Sequence, residues 1–409
     1  MPSALETKMG FPRWLPWLVA CVTLTCALAI GIARRVEIGA ARQAVFALPW
    51  DDETRLRSAI ETFNAGQSPR EVYAALIADL PAHVGDARYY GVLGALADRA
   101  GETATADRLY QSAWRLAKTE PLAGAELFQR AARAGDYSSA IKYADVQMRR
   151  WPARFPEFEK ALLDLFHTHA GFDAMVRKLG EAPTWRDDFM RALIASPNDS
   201  ALVEKAFANL ADGDHPPSVD EINLAVDRLL ARGEAAAAHR LFVATLSADE
   251  RKVAGQIFNF AFALPSSGKR FDWRMQSGRG VEIIAPGGAE GALLHFLDRP
   301  ARDIAFAQTI ALAPGVYGLT ATLSARDFTA PDGMFVSLTC VVGGKELARI
   351  KAPEGDFDLR RIGVKFATPD EGCPLQSVAV QSGLTVEAWN RRYSGYLRVA
   401  SIQVEGLSQ

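Results

Sequence analysis

The stretch Trp14–Ala33, WLPWLVACVTLTCALAIGIA, carries no charged residue. Its length matches the ~20 apolar residues that cross a ~30 Å hydrocarbon core as a helix. Pro16 falls in the first turn, where a missing N–H costs little. Trp14 and Trp17 mark one water–lipid interface, and Arg34 and Arg35 end the run at the other. A buried core helix is the poorer reading, because the run has no polar face to meet water. The expectation is a single transmembrane helix over 14–33, with 1–13 as a short cytoplasmic N-terminus and 34–50 as a juxtamembrane linker.

Two processing signals overlap this run. Ala27-Leu28-Ala29 fits a signal-peptidase site behind a shortened apolar core. Leu18-Val19-Ala20-Cys21 fits a lipoprotein box, although few apolar residues precede its cysteine. Basic residues are nearly balanced across the run: Lys8 and Arg13 before it, Arg34, Arg35 and Arg42 after it. Cysteines favour one orientation. Cys21 and Cys26 lie within the run, which leaves Cys340 and Cys373 as a pair in the soluble body. A disulfide between them fits an oxidising compartment; two separate core thiols are the alternative. The expectation is a bacterial inner-membrane, single-pass protein with its body in the periplasm.

At 409 residues the chain exceeds a single ordinary core. Its 49% hydrophobic and 23% charged residues describe folded rather than disordered chain. A net charge of -2 leaves no footprint for nucleic acid. Composition changes once. Residues 51–263 are rich in Ala, Leu, Arg and Glu at helical spacing; from 271 to 409 apolar and polar residues alternate between regularly spaced turns. The Pro/Ser/Gly connector LPSSGKR, 264–270, joins them.

The helical part repeats. Ala100-Gly101-Glu102 recurs 34 residues on as Ala134-Gly135-Asp136, with Ala106 falling on Ala140. GETATADRLY (Gly101–Tyr110) has a distant copy in GEAAAAHRLF (Gly233–Phe242), and a weaker unit turns at Gly171. Each Gly is expected to end a helix in the left-handed region, and the acidic residue beside it to open the next. The pattern resembles a tetratricopeptide repeat array. Tyr90, Leu93 and Gly94 match that family's first-helix Trp, Leu and Gly. Gly135-Asp136-Tyr137, Ala140-Ile141 and Tyr143 match its second helix, and Pro152 its closing Pro. Gln147 stands where a small residue is usual, and Gly124 where an aromatic is. The match covers about 87–152. Beyond Pro183 the helices Trp185–Ile194, Ala201–Leu210 and Val219–Ala231 are read as related pairs with lost consensus. The resemblance implies a TPR-like α-solenoid whose concave face docks a protein partner.

The last part reads as an antiparallel β-sandwich. Its expected strands are Val281–Ala285, Ala292–Leu297, Ile304–Leu312, Tyr317–Ser324, Phe335–Val342, Glu346–Lys351, Asp358–Ala367, Leu375–Gln381 and Gly395–Val404. Phe306, Gln308, Ile310 and Leu312 alternate with small or polar neighbours, as a half-buried strand should. Phe271-Asp272-Trp273-Arg274, Gln308, the turn Pro314-Gly315-Val316-Tyr317, Cys340, the Pro369…Cys373-Pro374-Leu375-Gln376 corner and Ser394-Gly395-Tyr396 resemble the jelly-roll domains of carbohydrate-binding modules. The whole arrangement is similar to tetratricopeptide proteins found alongside bacterial exopolysaccharide and capsule assembly machinery. That resemblance implies a membrane-anchored, non-enzymatic accessory protein of envelope polysaccharide synthesis or export. Its rivals are a pure protein–protein scaffold with a structural β cap, and a polysaccharide-modifying enzyme.

No metal, cofactor or catalytic pattern is legible. His167 and His169 are two apart on one expected helix and make a poor metal pair. No CxxC, HExxH, GxSxG or phosphate-loop motif occurs. Glycan binding needs an aromatic platform beside fork-like or amide donors. Trp273, Arg274, Arg326, Trp389, Arg391 and Tyr393 supply those types and are the candidate glycan-binding residues. Trp273 as sandwich core, and Arg391 as a solvated loop charge, are the alternatives.

Overall fold

The computed structural model describes residues 52–196, 200–284, 291–384 and 390–407. It divides into two compact units, Met1–Phe158 and Glu159–Gln409. The expected anchor over 14–33 lies outside the described residues. Among those described, no helix is long and apolar enough to cross a membrane.

The first unit is helical: α1 (Asp52–Asn64), α2 (Pro69–Asp79), α3 (Ala87–Arg99), α4 (Thr103–Leu116), α5 (Pro121–Arg133), α6 (Tyr137–Arg150) and the start of α7 (Phe155–Phe166). Asp86 accepts from the Arg88 N–H to open α3, and Asp136 accepts from the Ser139 N–H to open α6. Gly101 and Gly135 end α3 and α5 at φ 81° and 75°. In both places the next N–H reaches back to the carbonyl of the last helical turn, Glu102 to Ala97 and Asp136 to Ala131. That closure occupies carbonyls that would otherwise lack a partner, and it needs a residue without Cβ strain. Consecutive helices then pack in pairs, α3 on α4 and α5 on α6. A Cβ on Gly94 would meet the Tyr110 ring at 2.8 Å, so this glycine lets α4 approach α3.

Gly124 and Gln147 turn out to be one feature. A Cβ on Gly124 would lie 2.1 Å from Gln147 Nε2. The Gln147 side chain fills the space a larger residue at 124 would take, donates to the Glu120 carbonyl at 3.1 Å and accepts from Arg154 Nη1 at 2.7 Å. Gln147 is fully buried, so these bonds offset its desolvation.

The second unit continues with α8 (His169–Leu179), α9 (Arg186–Ala195), α10 (Ser200–Ala211), α11 (Val219–Ala231), α12 (Ala235–Ala244) and α13 (Ala248–Lys252). Gly233, at φ 79°, ends α11 by the same device, with the Glu234 N–H bonded to the Leu229 carbonyl. Gly171 departs from the expectation. It lies inside the first turn of α8, where its N–H caps onto Thr168 Oγ1 at 3.1 Å. It is required for closeness instead, since a Cβ there would sit 2.1 Å from the Leu165 carbonyl oxygen. Helices α9 and α11, and α10 and α12, pack on each other, as do α11 and α12.

Ten strands follow: β1 (Arg274–Gln276), β2 (Val281–Ile284), β3 (Ala292–Arg299), β4 (Ala305–Ile310), β5 (Gly315–Thr329), β6 (Met334–Cys340), β7 (Glu346–Lys351), β8 (Gly355–Thr368), β9 (Gln376–Ser382) and β10 (Tyr393–Gly406). They form two five-stranded antiparallel sheets, β1-β4-β9-β6-β7 and β2-β3-β10-β5-β8. Phe306, Gln308 and Ile310 face inward as the alternation required. Cys340 and Cys373 are joined by a disulfide, Cα–Cα 5.2 Å, which ties the end of β6 to the corner before β9. Gln376 braces that corner: its Oε1 accepts from the Leu312 N–H and its Nε2 donates to the Cys373 carbonyl.

The connector 264–270 falls inside the second unit and is clamped at both sides. Lys269 Nζ donates to Glu250 Oε2 at 2.7 Å and to the Thr245 carbonyl. Arg270 makes a two-pronged pair with Asp227, and Asn223 Nδ2 donates to the Gly268 carbonyl. Asp272, almost fully buried, accepts from the Ser267 N–H.

Candidate functional site

On β10 the alternation puts Tyr393, Leu397 and Val399 into the core and turns Tyr396 and Arg398 outward. Register across the sheet then sets a row on its outer face. Glu282 on β2 opposes His295 on β3, His295 opposes Tyr396 on β10, and Tyr396 opposes Arg326 on β5. Arg326 Nη2 donates to Asp358 Oδ1 on β8 at 2.8 Å. Glu282 Oε2 lies 3.3 Å from His295 Nδ1. The His295 and Tyr396 rings stack at 4.6 Å, 10° from parallel.

A cleft of about 590 Å³ opens beside this row. Tyr396, Arg326, Arg398, Ser324, Asp358 and Leu359 line it; His295 does not. The histidine therefore covers one face of the tyrosine ring, and the tyrosine lines the cleft. Tyr396 is 42% exposed and Leu359 66%. An irregularity in β8 shapes the far wall. Leu323 pairs with Arg360 and Ala325 with Phe357, so two residues, Asp358 and Leu359, stand opposite Ser324 alone. Such a bulge re-aims side chains, and here it sets a carboxylate and an apolar side chain together at the surface.

The end of the cleft is held by Gly395. It has φ 79°, and a Cβ there would sit 2.1 Å from the Asp327 carbonyl oxygen. The Asp327 N–H in turn donates to Asp356 Oδ1 at 2.6 Å. The β5 backbone thus approaches β10 closely one residue from Tyr396.

Of the residues singled out from sequence, Arg326 lines this cleft. Trp273 takes the core alternative: it is fully buried against Phe262 and Phe306, with Nε1 donating to the Asn259 carbonyl at 3.2 Å. Tyr393 is equally buried; its hydroxyl donates to the Gly333 carbonyl at 3.3 Å, and burial pushes its pKa up to about 12. Neither offers a surface platform. Arg274 is exposed on β1, in the opposite sheet. Arg391 pairs with Asp332 at 3.0 Å. Trp389 lies outside the described residues. Tyr396, Arg398, Asp358 and Leu359 were not selected, although the parity of β10 already places Tyr396 opposite in facing to Tyr393.

A second opening, about 910 Å³, lies between the start of α12 and the disulfide corner. Its walls are largely Ala, Pro and Gly. Its aromatic ring, His239, packs edge-on against Phe271, and burial lowers its pKa. Arg240 lines the opening too but is paired with Glu204, and the His239 ring is engaged by Phe271, so among the described residues the opening has no exposed tyrosine platform like that of the sheet cleft. Among the described residues no three His, Cys, Asp or Glu side chains group as a metal site.

No protein-family model matches the sequence, and neither does any curated protein. Among solved structures the chain is similar to a CBM4 module (14% identity, 37% of this chain and 99% of that one, TM-score 0.29). It is also similar to the carbohydrate-binding module CBM6cm-2 of Cellvibrio mixtus lichenase 5A in complex with cellotriose (11%, 33% and 92%, 0.21). A third is the TmCBM61 module in complex with β-1,4-galactotriose (17%, 38% and 100%, 0.25).

Proposed function

We propose that the β-sandwich binds glycan in the cleft on the outer face of the β2-β3-β10-β5-β8 sheet. The observation that carries this reading is Tyr396: an exposed ring, fixed on one side by His295, beside hydrogen-bonding groups and the apolar Leu359. Sugars present apolar C–H faces ringed by hydroxyls, and this combination complements both. One carboxylate, Asp358, lines the cleft. Glycoside hydrolysis uses a facing pair, so binding without turnover is the better fit.

Within this reading the chain is a non-enzymatic accessory protein of bacterial envelope polysaccharide assembly, anchored through 14–33 with its body in the periplasm. The helix pairs, which resemble tetratricopeptide repeats, dock a protein partner. Supporting the compartment is the Cys340–Cys373 disulfide. Confining both partners to one membrane raises their effective concentration, so a weak glycan contact suffices.

The test is binding of the full-length protein to a panel of envelope polysaccharides, compared with Tyr396→Ala. Removal of one stacking ring is expected to weaken binding by about 5- to 150-fold, on the order of 1–3 kcal/mol, with an unchanged unfolding midpoint. Binding that ignores the substitution would put the glycan outside this cleft, and no binding to any glycan would leave the β domain as a structural cap.

A further inference from the structure

We infer that the glycan taken by the Tyr396 cleft is anionic, its charged substituent held by Arg326 and Arg398; this rests on the glycan-binding reading and sharpens it. Among the described residues two guanidiniums line the cleft against one carboxylate, in a chain whose net charge is -2. They neighbour the ring in two directions, across the sheet and along the strand. Arg326 sits opposite Tyr396 on β5, and Arg398 follows Tyr396 on β10 with the same outward facing. A sugar seated on the ring therefore has two guanidiniums among the residues that line the same cleft.

Guanidinium is a donor-only group whose planar fork matches a two-oxygen anion. A neutral sugar, by contrast, needs acceptors as well as donors, and the cleft offers Ser324 and Asp358 for that purpose. Asp358 is already engaged by Arg326. That ion pair is exposed on both sides, 64% and 91%, so water screens it and it contributes little. A ligand carboxylate can exchange with Asp358 at small cost, whereas a hydroxyl would have to compete with a charge. Ser324 opposes Arg398 across the β5–β10 ladder, and Leu293 flanks it on β3.

Carboxylates of uronic acids and sulfate or phosphate esters share this chemistry. The test separates them and isolates charge from sugar shape. Full-length protein in detergent is titrated with polygalacturonate, alginate and hyaluronate, each beside its methyl ester, and with dextran sulfate beside dextran. Binding of the preferred acidic polymer is expected to exceed that of its ester at least tenfold and to weaken as salt rises. Arg326→Gln and Arg398→Gln should each cost the acid about tenfold more than they cost its ester. Tyr396→Ala should weaken both forms. Preference for dextran sulfate over every uronate would assign the anion as an ester. Equal binding of acid and ester, insensitive to either arginine but lost with Tyr396→Ala, overturns the anionic assignment and keeps the cleft. Loss of no binding in Tyr396→Ala, or no binding across the whole panel, overturns both.

Discussion

Tyr393 and Tyr396 are three residues apart on one strand, and that odd spacing decides their roles. Tyr393 shares its facing with Leu397 and Val399 and closes the core; Tyr396 faces out. Between them Gly395 has no room for a side chain, with the Asp327 carbonyl oxygen 2.1 Å from a would-be Cβ. Gly395→Ala is expected to cost about 1–3 kcal/mol, because backbone rather than a flexible side chain must yield. Urea unfolding reads the loss, and glycan binding should fall with it, since Tyr396 is the next residue. Gly343, at φ 76° but with open space around it, provides the comparison: Ala there meets only the left-handed penalty of about 1 kcal/mol. Trp273 shows the complementary point. A Trp beside an Arg satisfies the residue types of a sugar platform, but three-dimensional packing against Phe262 and Phe306 assigns it to the interior.

At the scale of elements, the helices were readable because their ends are local. Gly101, Gly135 and Gly233 all occupy the left-handed region the repeat implied. Gly171 did not, since its glycine answers a close approach by Leu165 that no local pattern announces. The departures at 124 and 147 compensate each other. Gly124→Ala is expected to lose about 1–3 kcal/mol against the Gln147 side chain. In Gly124→Ala/Gln147→Ala part of that loss should return, with a coupling of about 0.5–3 kcal/mol in a double-mutant cycle. Additive losses would mean the two positions are independent. Nine of the strands lie where alternation put them; β1 escaped because three residues, Arg274–Gln276, are too few to show a period. The β8 irregularity escaped because a bulge exists only relative to its partner strand.

Across the whole molecule the two units carry buried carboxylates of opposite pH sign. In the first, burial raises the Glu120 pKa above its ordinary 4.5, outweighing the N–H groups of Ala123 and Leu122. Its contribution is fully present below pH 4.5 and is lost as pH rises through the raised value. In the second, burial also pushes Glu250 up, but Lys269 and the Ser247 N–H outweigh it and hold the carboxyl below 4.5. That contribution is present above 4.5 and lost as pH falls through the lowered value. Glu120→Gln should therefore gain stability relative to the parent as pH rises above 4.5. Lys269→Met, which strands Glu250, should lose about 3–5 kcal/mol at neutral pH and less in acid. Unfolding midpoints between about pH 4 and 7 check both signs.

The sequence alone was sufficient for whatever depends on neighbours along the chain: helix ends at glycine, strand alternation, the change from helical to strand composition at 264–270, and the cysteine pair that forms the disulfide. The cleft was different. Arg326 was visible, but its partner Asp358 lies 32 residues away along the chain. Glu282, His295, Tyr396 and Arg326 form a row only because β2, β3, β10 and β5 are neighbours in one sheet. Sheet order and register are settled by burying one face of every strand at once, a condition on the assembled core that no single segment contains.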